Sequence, residues 1–192
     1  MLLQKERLEH AQIMSLQTGA LIAETSASII DPRELKVVGF YCTGPRLDIN
    51  PAILLSDDIR EIGSIGIIVD SADVFMLPED LVRLKDVLSY GFRLEDKHVI
   101  DDSGHKLGKV SSYTLDSDSL FIIKLQVHPG MWRSLGTTEL IIDRSQIVQV
   151  TDHEVLVKST RKKQTEQAAP PVLENPFRNS PAEGAPTSHA ER

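Results

Sequence analysis

Val99-Ile100-Asp101-Asp102-Ser103-Gly104-His105-Lys106-Leu107-Gly108-Lys109-Val110 is the stretch that decides the fold. Two short apolar segments flank an acidic turn, and Gly104 stands where a hairpin loop needs positive φ. Asp101, Gly104 and Gly108 are read as the structural residues of this turn. Downstream, Phe121, Ile123, Leu125 and Val127 alternate with Ile122, Lys124 and Gln126, the period of a strand, until His128-Pro129-Gly130 breaks the run. Asp116-Ser117-Asp118-Ser119 and Thr151-Asp152-His153 are further turns, and Leu140-Ile141-Ile142 and Glu154-Val155-Leu156-Val157 are short strands between them.

The first half has the same style. Ile29-Ile30 leads through Asp31-Pro32-Arg33-Glu34 into Leu35–Cys42, followed by strands at Ala52–Leu55 and Gly66–Val69. Between the halves, Pro78-Glu79-Asp80 opens a helix of about three turns. Leu81, Leu84 and Leu88 form its apolar stripe, and Gly91 closes it. Residues 1–14 form a lead-in that is helical or frayed. From Thr160 the composition changes: half of the 10 prolines lie in 160–192, and Val172, Leu173 and Phe177 are the only large apolar residues there. Such a segment buries too little surface to offset its ordering entropy, so a disordered tail is expected.

The halves repeat. Ile29-Ile30-Asp31 aligns with Val99-Ile100-Asp101 at an offset of 70, and Ile59, Ile62, Ile67 and Val69 align with Ile147, Val150, Val155 and Val157 at an offset of 88. The growing offset implies a longer middle in the second copy, around Leu120–Leu135. In this register the first copy has no turn glycine.

The hairpin at 99–110 and the closing Ile142–Asp152 segment resemble the PRC-barrel family, over about 15–71 and 90–159. The resemblance implies a mainly β fold: two small PRC-barrel-like β-barrels in tandem (15–76 and 92–159), joined by a short helix (77–91), with the tail at 160–192. Domains of this family in the photosynthetic reaction-centre H subunit and in a ribosome-maturation factor are docking modules rather than enzymes. The resemblance therefore implies a bacterial-type adaptor that binds a protein or ribonucleoprotein assembly, or alternatively an RNA-binding factor in ribosome maturation or RNA metabolism.

The residues themselves carry no catalytic pattern. His98, His105, His128 and His153 lack metal-site spacing, and Asp57-Asp58 and Asp116-Xaa-Asp118 read as turn residues. Cys42 ends an apolar strand and reads as a small buried hydrophobe. No catalytic, cofactor or metal residue is assigned. Residues 1–159 hold 16 basic and 24 acidic residues, a poor match to a nucleic-acid backbone. No apolar run is long enough to span a membrane, the N-terminus lacks a signal-peptide core, and a single Cys suits a reducing cytoplasm. The candidate interaction residues are His128, Met131, Trp132 and Arg133 in one loop and Phe177 in the tail, because Trp, Met and Arg are favoured at interfaces.

Overall fold

The structure, a computed structural model, describes residues 1–129 and 139–159. The fold is mainly β, with two sheets and one short α-helix. In chain order the strands are β1 (Leu2–Gln4), β2 (Gln12–Ser15), β3 (Leu21–Asp31), β4 (Lys36–Thr43), β5 (Ala52–Leu55), β6 (Ile59–Gly63), β7 (Gly66–Val69) and β8 (Phe75–Met76). Helix α1 (Lys85–Tyr90) follows. Then come β9 (His98–Asp101), β10 (Lys106–Asp116), β11 (Ile122–His128), β12 (Leu140–Asp143), β13 (Ile147–Val150) and β14 (Glu154–Val157). One sheet has the order β6-β7-β2-β3-β4-β5-β8. The other has the order β12-β11-β10-β9-β14-β13, with β1 added on β10.

These orders are one topology written twice. β2 pairs parallel with β7 as β9 pairs with β14, and every other shared ladder is antiparallel in both sheets. The register is reproduced down to its irregularities. The shift between Thr25 and Ala27 recurs between Val110 and Ser112, that between Ile29 and Ile30 recurs between Thr114 and Leu115, and that between Ile59 and Glu61 recurs between Ile147 and Gln149. A bulge skips one residue of one strand and re-aims the next side chain, so three shared bulges fix the correspondence residue by residue.

This correspondence corrects the sequence alignment in its first part and keeps the second. β3 and β4 correspond to β10 and β11 at an offset of 85, so Ile29-Ile30-Asp31 matches Thr114-Leu115-Asp116 and not Val99-Ile100-Asp101. From β5 onward the offset is 88. The second copy is longer by three residues in its middle, not eighteen. The error arose because the true counterparts do not keep the motif: Thr114-Leu115-Asp116 lacks the apolar pair and Ile13-Met14-Ser15 lacks the aspartate, so the two segments that carry it aligned with each other instead. The turn glycine of the first copy exists: it is Gly19, at φ +65, matching Gly104 at φ +81.

Two other expectations change. The lead-in is not helical: it forms β1, a 3-10 turn at Lys5–Arg7 and the start of β2. Arg7-Leu8-Glu9 in it matches Arg93-Leu94-Glu95 ahead of β9. In the two copies His10 and Asp96 take positive φ and Leu8 and Leu94 are buried. The helix at 77–91 is broken into 3-10 turns at Pro78–Asp80 and Val82–Leu84 followed by α1. Leu81 leaves helical geometry at φ −90, ψ 66, which turns its side chain and that of Val87 down onto Ile29 and Ile53. Gly91 closes α1 in the left-handed conformation as expected.

The two copies meet in a reciprocal contact. Val37 N–H donates to the Leu120 carbonyl at 3.0 Å, and Ile122 N–H to the Leu35 carbonyl at 2.9 Å. Leu35 and Leu120 correspond to each other and both adopt positive φ, 49° and 58°. Each is buried, and that burial offsets the roughly 1 kcal/mol a leucine loses in this conformation. Arg144 bridges the contact by donating to the carbonyls of Glu34, Leu35 and Ile122, with its guanidinium 4.9 Å from the Phe121 ring. One apolar core cluster takes residues from both copies, including Ile13, Val37, Phe40, Val99, Ile122 and Leu125. Residues Met1–Ser159 therefore form one compact unit.

Candidate functional site

Asp101, Gly104 and Gly108 serve the β9–β10 hairpin. The Asp101 carboxylate is buried and accepts the backbone N–H groups of His105 at 2.8 Å and Ser103 at 3.0 Å, with the His105 ring 3.1 Å away. The His105 backbone N–H is the main influence that holds its pKa below the usual carboxylate range. Ser15 takes the same position in the first copy and accepts the Thr18 N–H at 3.2 Å. Gly108 lies where β10 crosses the end of β11: a Cβ there would sit 2.2 Å from the His128 carbonyl oxygen. The first copy makes the same crossing with the glycine on the other strand. A Cβ on Gly44 would lie 2.6 Å from the Ile22 oxygen.

Of the interaction candidates, His128 ends β11 opposite Lys109 and is exposed. Met131, Trp132, Arg133 and Phe177 lie outside the described residues. His98, His105, His128 and His153 are all exposed, and among the described residues no three His, Cys, Asp or Glu side chains come together as a metal site would require. Cys42 is fully buried at the position that Val127 takes in the other copy, and burial pushes its thiol up to about 12.

The repeat brings out a surface that single residues did not signal. In the first copy the outward face of β3, β4 and β5 carries Ile29, Tyr41 and Ile53. It is covered by the segment after β7: Met76 of β8, then Leu81, Leu84, Val87 and Leu88. Ile53 is 0% exposed. The matching face of the second copy carries Thr114, Gln126 and Ile141, and Ile141 is 60% exposed. Among the described residues no segment covers it, and a groove of about 860 Å³ lies there, lined by Leu2, Ile62, Thr114, Lys124, Gln126 and Ile141. Its lining is mixed: Leu2, Ile62 and Ile141 are apolar, Thr114 and Gln126 are polar, and Arg7, Lys124 and Glu61 are charged.

Sequence reasoning missed this groove because Ile141 reads as an ordinary strand residue. The offset of 88 that pairs it with Ile53 was legible. That Ile53 is covered by residues following its own copy was not. The arrangement offers apolar contacts beside polar and charged groups, suited to receiving a short apolar segment. No family model matches the chain, and no curated protein matches its sequence.

Proposed function

We propose that the chain is a non-enzymatic docking protein built from two PRC-barrel-like units, and that the groove over Thr114, Gln126 and Ile141 receives an apolar segment of a protein or ribonucleoprotein assembly. The observation that carries this reading is the contrast between Ile53 and Ile141. They hold one position of one repeated sheet, yet one is sealed and the other is 60% exposed beside a groove of about 860 Å³. Isolated exposed apolar residues are ordinary, whereas a concave apolar surface with a polar rim is the usual form of an interaction site. The acidic balance of residues 1–159 favours a protein surface over bare RNA as the first contact.

The test is crosslinked capture of partners by the full chain, compared with Ile141→Asp and with Val148→Asp, an exposed apolar residue of β13 that does not line the groove. Ile141→Asp is expected to lose partners that the wild type and Val148→Asp retain. Equal recovery by all three would refute the reading. Filter binding to ribosomal RNA over a salt series separates the RNA alternative, which requires tight binding with a steep salt slope.

A further inference from the structure

We infer that the partner segment received by the groove has the form of this chain's own Phe75–Leu84: two adjacent apolar residues that add a short antiparallel strand to the free edge of β12, an acidic turn, and leucines that close over Ile141. The inference rests on the docking reading of the groove and adds the shape and sequence pattern of what docks there.

The argument comes from the matched place in the first copy, where the cover is seen. β5 and β12 correspond at an offset of 88, Ile53 with Ile141 and Leu54 with Ile142. β5 is paired on both sides, with β4 on one and β8 on the other, where Met76 lies opposite Ile53 and Phe75 opposite Leu54. Among the described residues β12 is paired with β11 alone. An open edge of backbone N–H and C=O groups is a template for one more strand, and the repeat shows which kind of strand this edge takes. The two residues of β8 divide between the faces: Phe75 joins the main core with Leu54, and Met76 packs with Ile53 on the outward side. Ile142 is 3% exposed and Ile141 60%, so β12 divides in the same way. After β8 the chain turns through Pro78–Asp80 and Val82–Leu84, and Leu81 and Leu84, five and eight residues after Met76, pack with Ile29 and Ile53. The counterparts of Ile29 and Ile53 are Thr114 and Ile141, both in the lining of the groove.

Charge favours the same pattern. Arg7 and Lys124 stand with Glu61 in the groove, on a body that is otherwise acidic. Asp143 lies opposite Lys124, but its carboxylate accepts the Ser145 N–H and hydroxyl. Two cations beside one free carboxylate suit a segment with acids between its apolar anchors, as Glu79 and Asp80 stand between Met76 and Leu81.

The segment itself supplies the probe. A fluorescent synthetic peptide of residues 74–86 is titrated into the full chain and followed by anisotropy. It is expected to bind at least about tenfold tighter than a peptide of residues 78–86, which lacks Phe75 and Met76, and than the Leu81→Asp/Leu84→Asp peptide. Ile141→Asp in the protein is expected to weaken binding by about the same factor, and Val148→Asp to leave it unchanged. A second measurement needs no variant of the protein. A peptide carrying a benzophenone in place of Leu81 is expected to crosslink to Lys124, Gln126 or Ile141, as mapped by mass spectrometry. Crosslinks at Ile29 or Ile53, where the chain's own Leu81 packs, would overturn the inference, and so would equal binding by all three peptides or by none. Self-association of the chain that Ile141→Asp abolishes, without peptide binding, would assign the groove to a second copy and overturn it as well. The two proposals fail separately. Partners lost in Ile141→Asp without peptide binding would refute this form of segment and leave the docking function. Peptide bound at Ile141 with partner capture unchanged in Ile141→Asp would refute the docking function and leave the groove's preference for such a segment.

Discussion

Gly108→Ala tests the strand crossing on which the second copy depends. Gly108 has φ +154, and an alanine Cβ would lie 2.2 Å from the His128 oxygen, 2.8 Å from the His128 carbonyl carbon and 3.0 Å from Val127 Cγ1. The first two contacts are backbone, so no side chain can rotate away: β10 or β11 must move. Holding an alanine in that conformation costs about 1–3 kcal/mol. Displacing the Lys109–His128 and Val110–Val127 end of the ladder weakens one or two hydrogen bonds, about 1–2 kcal/mol more. A total of about 4 kcal/mol lowers Tm by roughly 8–16 °C in a unit of this size. Gly104→Ala is the matched comparison. It also has positive φ, +81°, but no atom lies within 4 Å of its Cβ, so only the strain term of about 1 kcal/mol applies and Tm falls by roughly 2–4 °C. Gly44→Ala lacks the positive-φ strain but meets the Ile22 oxygen at 2.6 Å and Ala23 Cα at 2.7 Å, so it should fall between the other two. Thermal unfolding followed by circular dichroism measures all three. If Gly108→Ala melts within a few degrees of Gly104→Ala, the crossing is not tight, and the shared crossing built on Gly108 in one copy and Gly44 in the other loses its physical basis.

Arg144→Ala removes three hydrogen bonds to backbone carbonyls, two of them (Glu34 and Leu35) across the contact between the copies, and should cost about 2 kcal/mol in denaturant unfolding, while Arg144→Lys, without the planar fork, recovers less than half. Wild-type stability in Arg144→Ala would show that the bridge is incidental. Asp116 accepts the Ser119 N–H and hydroxyl and titrates at about 2, below its unfolded value of 3.8. A depressed folded pKa stabilises fully above pH 4 and is lost as pH falls toward 2. Asp116→Asn should therefore melt below the wild type at pH 7, with the gap closing between pH 4 and pH 2; a constant gap contradicts the assignment. Cys42, with its thiol raised to about 12 and its side chain sealed, should resist a disulfide reagent at pH 8 in the native protein and react once in denaturant. Rapid native labelling would place it at the surface.

What the sequence disclosed and what it hid separate along physical lines. Turns with side-chain or glycine chemistry were legible: Asp101–Gly104, Asp116–Ser119 and Thr151–His153 all lie between strands. Each is decided within a few residues, by a carboxylate or hydroxyl reaching a nearby N–H or by a glycine at positive φ. The pairing of Ile59–Val69 with Ile147–Val157 was also legible, because four apolar positions at fixed spacing leave one register. The first half of the repeat was misread for want of that constraint. Ser15 does the work of Asp101 with a hydroxyl, so the acidic signature that marks Gly104 is missing beside Gly19. The repeated Arg-Leu-Glu at 7–9 and 93–95 would have supplied the offset of 86. The broken helix at 78–90 was hidden for a different reason. Its apolar spacing suits a continuous helix, and only the demand that Leu81 and Val87 both reach Ile29 and Ile53 interrupts it.

The points where the copies diverge say more about function than the points where they agree. Main-chain hydrogen bonding and bulges are shared, since changing them would shift every side chain downstream to the wrong face. Four corresponding places are instructive: Ser15 and Asp101, Gly44 and Pro129, Ser56 and Arg144, Ile53 and Ile141. The first three are settled inside the fold, by an alternative turn acceptor, a glycine moved to the facing strand and a bridge supplied from one side only. The fourth differs in another way. The residue is isoleucine in both copies, and what changes is its cover. An apolar side chain kept at a position where it is 60% exposed gains nothing from the fold around it. Under the docking proposal, its gain comes from the segment that the groove receives. That is why the groove, rather than the hairpin that first revealed the repeat, is the surface on which the protein's function should be sought.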